Sequence, residues 1–135
     1  MFQLPSPTAT KKVPLPNFTE EPIPRFEVRA CLDVETINEY QDLFSKDVET
    51  SQARWEQYHE FVKKGLIQIE NVSSPAGLPL VVNGSGVSDD LLKSLSYARI
   101  EIANKGGLPI KVDLVTWLAL EIWKANILSE EERGN

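Results

Sequence analysis

The chain has 135 residues and a mass of 15.2 kDa, a size that suits one domain with room for a tail. No stretch approaches the ~20 consecutive apolar residues of a membrane span, and residues 1–12 lack the apolar core of a secretory signal. The net charge is −6 and no basic cluster offsets it, so we expect neither a membrane nor a nucleic-acid partner. The single cysteine excludes an internal disulfide.

Residues 1–24 form a proline-rich segment that holds six of the nine prolines. Because proline fixes φ, lacks an N–H and favours extended geometry in the residue before it, the segment predicts an extended arm without a helix. Its spaced apolar residues include Phe2, Leu4, Leu15 and Phe18. Two interpretations stay open: a disordered tail, or an arm that lies on a neighbouring subunit through these four residues.

The pattern changes at Arg25, where apolar and polar residues begin to alternate. A period of two over residues 26–32 predicts a half-buried strand. Asp33 then offers an N-cap for a helix that runs to about Asp47. A second helix, capped by Thr50 or Ser51, is expected to end at Gly65.

Acidic residues are concentrated in this helical segment. Residues 33–60 contain eight acids and two bases, which gives a local charge of 2 − 8 = −6. The acids are interpreted either as a solvated helix face or as a docking surface for a basic partner.

Residues 66–72 and 80–82 are apolar runs separated by turn residues, and they predict a small β-hairpin. Ser88 then caps a third helix. Its inner face carries Leu91, Leu95, Ala98 and Ile102, and it is expected to end at residues 105–107.

The last element opens at Pro109 and predicts a helix over about residues 112–128. This helix is apolar nearly all round. Its polar side is marked by Asp113, Thr116, Glu121 and Lys124, but Trp117 and Leu120 fall within that side and Trp123 lies on its flank. We therefore expect another chain to bury these three residues. The alternative is that the arm or the hairpin covers Trp117 inside one subunit.

Cys31 and His59 are the candidates for chemistry, and each lacks a convergent set of partners in the sequence. A zinc motif with two histidines is impossible with one histidine, and no histidine near Cys31 in the sequence could activate its thiol. We expect structural roles for both, and we predict no catalytic residue, no metal ligand and no cofactor.

One arrangement resembles a known class of proteins. The tract 61–82, the capped helix start at 88–92 and the closing segment 125–135 are similar in order to small tailed-phage proteins described as tail-assembly or minor virion structural proteins. The opening strand 26–29 also fits. This resemblance covers residues 26–135. It implies binding to other virion or tail subunits, in the host cytoplasm during assembly or in the virion, and it implies no catalytic residue.

Together these observations predict a mainly α, α+β domain over residues 25–128, with about four helices, a small hairpin and one extra strand. The arm (1–24) and an acidic polar tail (129–135) project from it. The expected function is that of a non-enzymatic phage or prophage protein that acts through protein–protein contacts. The alternatives are a small cytoplasmic adaptor or regulator that dimerises through the last helix, and, third, an enzyme that uses Cys31 or His59.

Overall fold

The computed structural model describes residues 1–4, 6–44, 52–84, 86–103 and 107–134. The strands found there are β1 (Thr10–Pro14), β2 (Arg25–Arg29), β3 (Leu66–Glu70), β4 (Arg99–Ala103) and β5 (Pro109–Asp113). The α-helices are α1 (Val34–Tyr40), α2 (Gln52–Gly65), α3 (Asp89–Ser96) and α4 (Leu114–Gly134), and a 3₁₀ turn (Gln41–Phe44) follows α1. With about 40% helix and 26% strand, the fold is a balanced α+β, so the prediction of a mainly α domain is wrong.

Strands β1, β2 and β3 form an antiparallel sheet in that order. On β2, Phe26 and Val28 are fully buried while Arg29 is exposed, which is the alternation that the sequence predicted. The hairpin expected between residues 66–72 and 80–82 is wrong, because β3 pairs with β2. Residues 80–82 form no strand, and the chain returns beside β3 through an isolated bridge between Ser73 and Pro79 and a hydrogen bond from the Leu80 N–H to the Val72 carbonyl at 2.8 Å.

The proline-rich arm contributes β1 to this sheet, so it does not project over its whole length. Val13 is 7% exposed and lies opposite Phe26. Leu15 packs against the core. Residues 1–4 are exposed.

A second antiparallel pair, β4 with β5, replaces the end of the predicted third helix. Ser88 caps α3 as predicted, since its Oγ accepts the Leu91 N–H at 3.1 Å. The helix ends at Ser96, however, and Ile102 lies on β4 opposite Ile110. The expected helix face from Leu91 to Ile102 is therefore wrong beyond Ser96.

Helix α4 lies at the centre and contacts α2, α3, β2, β4 and β5. Leu118 and Ile122 are fully buried. Gly65 allows α2 to approach α4, because a Cβ there would lie 2.6 Å from Ile122 Cγ2. Asn126 ties α4 to the segment between β2 and α1: its Oδ1 accepts the Leu32 N–H at 2.7 Å, and its Nδ2 donates to the Arg29 carbonyl at 3.1 Å.

Asp33 caps α1 as predicted, since its carboxylate accepts the Thr36 N–H at 2.7 Å. The regular helix ends at Tyr40, and the 3₁₀ turn continues to Phe44. The remainder of the predicted first helix and the caps proposed at Thr50 and Ser51 lie outside the described residues. Among the helices that the structure describes, none combines the length and apolar character needed to cross a membrane.

Candidate protein-interaction surfaces

Trp117 belongs to the core of its own chain. It is 3% exposed, and its ring packs edge-on against Phe26 with the centroids 5.5 Å apart. This corrects the prediction that another chain buries it: the sheet that contains β1 and β2 covers Trp117 within one subunit.

The reason for the error lies in two polar residues at the start of α4. Asp113 and Thr116, which suggested a solvent-facing side, are both buried. The Asp113 carboxylate accepts the Val115 and Thr116 N–H groups at 3.1 and 3.3 Å and the Thr116 hydroxyl at 2.6 Å. The Asp113 carboxylate thus accepts hydrogen bonds from the otherwise unpaired N–H groups at the start of the helix. Asp113 and Thr116 therefore do not mark a solvent-exposed face.

Further along α4, Leu120 and Trp123 are half-buried. The Trp123 ring stacks on Phe44 at a centroid distance of 4.6 Å and an interplanar angle of 9°. Part of each residue is therefore accessible, and their predicted partner role stays a prediction.

The predicted arm residues divide into two groups. Phe2 and Leu4 are 78% and 77% exposed, and Phe18 is 39% exposed. Leu15 instead packs against the core beside β1. Phe2 and Leu4 thus stand in solvent, eight and six residues ahead of the first residue of β1.

The acidic segment forms a groove between α1 and α2. The groove has a volume of about 580 Å³ and is lined by Glu39, Tyr40, Glu56, Gln57 and Glu60. Burial raises the pKa of the Tyr40 hydroxyl, and the neighbouring charges of Glu39 and Glu60 raise it further. In the described part of the chain, no group of three or more histidine, cysteine or acidic residues is arranged to hold a metal ion.

Of the two candidates for chemistry, Cys31 is a half-buried free thiol. His59 packs against Trp55 with a ring-centroid distance of 3.5 Å. Its Nε2 is buried and has no hydrogen-bond partner among the described residues. Burial lowers the pKa of His59, and the charge of Asp113 opposes that shift. A buried nitrogen without a partner favours the neutral imidazole.

Sequence reasoning missed the outer strand of the sheet, β1. Lys11 and Lys12 are consecutive residues of this strand. Lys12 Nζ forms an ion pair with the Glu70 carboxylate at 2.8 Å across the sheet. That contact raises the pKa of Lys12 and lowers the pKa of Glu70. Apolar residues at every second position, Val13 and Leu15, were the available signal, but the neighbouring prolines outweighed it.

Comparisons with protein-family models, curated proteins and solved structures find no match to this chain.

Proposed function

We propose that this protein is a non-enzymatic assembly protein that binds other protein subunits through its N-terminal residues. The resemblance to small tailed-phage proteins supports virion or tail components as the partner class. The observation that carries the proposal is the exposure of Phe2 and Leu4 in the segment that precedes β1.

Burying a Phe or Leu side chain stabilises a complex by roughly 1.5–3 kcal/mol, and neither Phe2 nor Leu4 obtains that gain within the chain. Because β1 is paired with β2, the arm is anchored six residues after Leu4, which limits the volume that Leu4 can sample and so the entropic cost of presenting it to a partner.

Dimerisation through the last helix, the main alternative, loses its principal support. That proposal drew mainly on Trp117 at a subunit interface, and Trp117 lies in the core, which leaves Leu120 and Trp123 as its partly accessible residues.

Photo-crosslinking tests the proposal. Phe2 is replaced by the photoreactive analogue p-benzoylphenylalanine in cells that produce phage particles. Tyr97 is the matched control, because it is an aromatic residue with the same 78% exposure on another element. The proposal expects crosslinks from position 2 to particle proteins, identified by mass spectrometry, and a different or empty pattern from position 97. The same pattern at both positions, or none at position 2, would contradict it.

A further inference from the structure

Two backbone hydrogen bonds beyond the ends of β1 set its phase against β2. The Ala30 N–H donates to the Ala9 carbonyl at 2.9 Å, and the Leu15 N–H donates to the Pro24 carbonyl at 2.9 Å. In an antiparallel ladder, residues alternate between bonding to the partner strand and pointing their backbone groups away. Lys11 and Val13 therefore bond to β2, while Thr10 and Lys12 direct their N–H and C=O groups to the outside.

Pro14 agrees with this phase. It falls in the outward set, where its missing N–H costs the sheet no ladder bond. It also limits the outward donors of β1 to Thr10 and Lys12, so the open edge is short.

The opposite edge of the sheet is covered. On β3, the Gln68 side chain accepts the Val82 N–H at 3.1 Å and donates to the Val82 carbonyl at 3.5 Å. This amide acts like a short strand pairing and attaches the following loop to β3. Among the described residues, no segment covers the outer edge of β1 in this way.

The charges on β1 indicate which kind of strand fits there. Two basic side chains near this edge are exposed, Lys11 on β1 and Arg29 on β2. Neither forms an ion pair within the described part of the chain. A second copy that paired through its own β1 would bring lysines together, and such like-charge pairs disfavour edge-to-edge association. An acidic strand that places its carboxylates beside Lys11 meets complementary charge.

We propose that β1 accepts an extended acidic segment of a partner protein as a fourth strand of the sheet. Main-chain hydrogen bonds to Thr10 and Lys12 supply affinity, and the basic side chains select acidic sequences. This inference rests on the protein-binding function proposed above, but it concerns a surface distinct from Phe2 and Leu4.

The test uses nuclear magnetic resonance on the full chain, with the peptide acetyl-Ser-Glu-Val-Glu-Val-Glu-Ser-amide as the probe. At saturation, amide hydrogen exchange at Thr10 and Lys12 should slow about tenfold, because both amides become hydrogen-bonded. A peptide with lysine in place of each glutamate serves as the control ligand and should leave exchange unchanged.

Three variants separate the contributions. Thr10→Pro removes an outward N–H without removing a backbone hydrogen bond to β2, although it also removes the Thr10 hydroxyl that donates to Glu27. It should abolish the peptide-induced protection of Lys12. Lys11→Glu should weaken binding about threefold to tenfold. Lys111→Glu makes the same charge change at an exposed position of the other sheet and should bind like the wild type.

Four outcomes would overturn the proposal. They are equal binding of the acidic and basic peptides, no protection at Thr10 and Lys12, wild-type binding by Lys11→Glu, and protection that rises with protein concentration in the absence of peptide, which would assign the edge to a second copy. A variant with Phe2→Ser and Leu4→Ser should still bind the peptide, so failure here is distinct from failure of the crosslinking test.

Discussion

Replacing Trp117 with alanine is the perturbation that most clearly distinguishes a core residue from an interface residue. Trp117 is 3% exposed and packs edge-on against Phe26. Truncating a buried tryptophan costs about 3–5 kcal/mol, since the transfer energy is lost and a cavity remains. The lost aromatic contact is part of that cost. Because small domains have only about 5–15 kcal/mol of stability, Trp117→Ala should remove a large part of the total.

Denaturant unfolding followed by circular dichroism measures this difference. Tyr97→Ala is the control, because Tyr97 is 78% exposed and its truncation should change the free energy of unfolding by no more than about 0.5 kcal/mol. The reasoning would be refuted if Trp117→Ala unfolded like the wild type, within about 1 kcal/mol, while losing binding to a partner. That result would show that Trp117 contacts a partner and does not stabilise the core of its own chain.

Three further substitutions test the packing and electrostatics. Gly65→Ala should lower the free energy of unfolding by about 1–3 kcal/mol, because the new Cβ would lie 2.6 Å from Cγ2 of buried Ile122. An unchanged denaturant midpoint would show that α2 and α4 can move apart without a loss of stability. Asn126→Leu should cost about 1–3 kcal/mol, because the Leu32 N–H loses its acceptor; thermal melts measure this, and a melt like that of the wild type would contradict it. Burial holds the pKa of His59 in the folded protein below its usual 6.5. The neutral ring therefore contributes fully to stability above pH 6.5, and this contribution is lost as the pH falls through the pKa of the folded state. The wild type should therefore lose more stability between about pH 7 and pH 5 than His59→Gln does, and equal losses in parallel unfolding titrations would show that His59 does not contribute.

Local signals in this sequence predicted local structure well. The caps at Asp33 and Ser88 and the alternation of β2 depend on neighbouring residues, and the structure confirms them. The prediction of helix over β4 was wrong because the sequence there fits both a helical period and a strand period. Ile102 continues the helical spacing from Leu95, but it also alternates with exposed residues over Arg99–Ala103. The chain adopts the strand because β5 lies within reach to pair with it.

Long-range pairing explains the other errors. Nothing near β3 in the sequence indicates that its partner is β2 rather than the adjacent run at residues 80–82, because such partners are separated by the whole of α1 and α2. The arm was misjudged for a similar reason, since Pro14 is compatible with a strand only at an outward edge position. Of the four arm residues predicted to contact a partner, Phe2, Leu4 and Phe18 are exposed, whereas Leu15 packs against the core. Their partner role stays a prediction.

If the residues ahead of β1 bind a partner, as proposed, they should matter for binding and contribute little to the fold. The most direct measurement compares two deletions in the same particle-producing cells, scoring incorporation by quantitative mass spectrometry and stability by calorimetry. Removing residues 1–8 should leave the melting temperature within about 4 °C and reduce incorporation. Removing residues 1–15 also deletes β1 with buried Val13, and it should lower the melting temperature as well. Normal incorporation of a stable protein that lacks residues 1–8 would contradict the account.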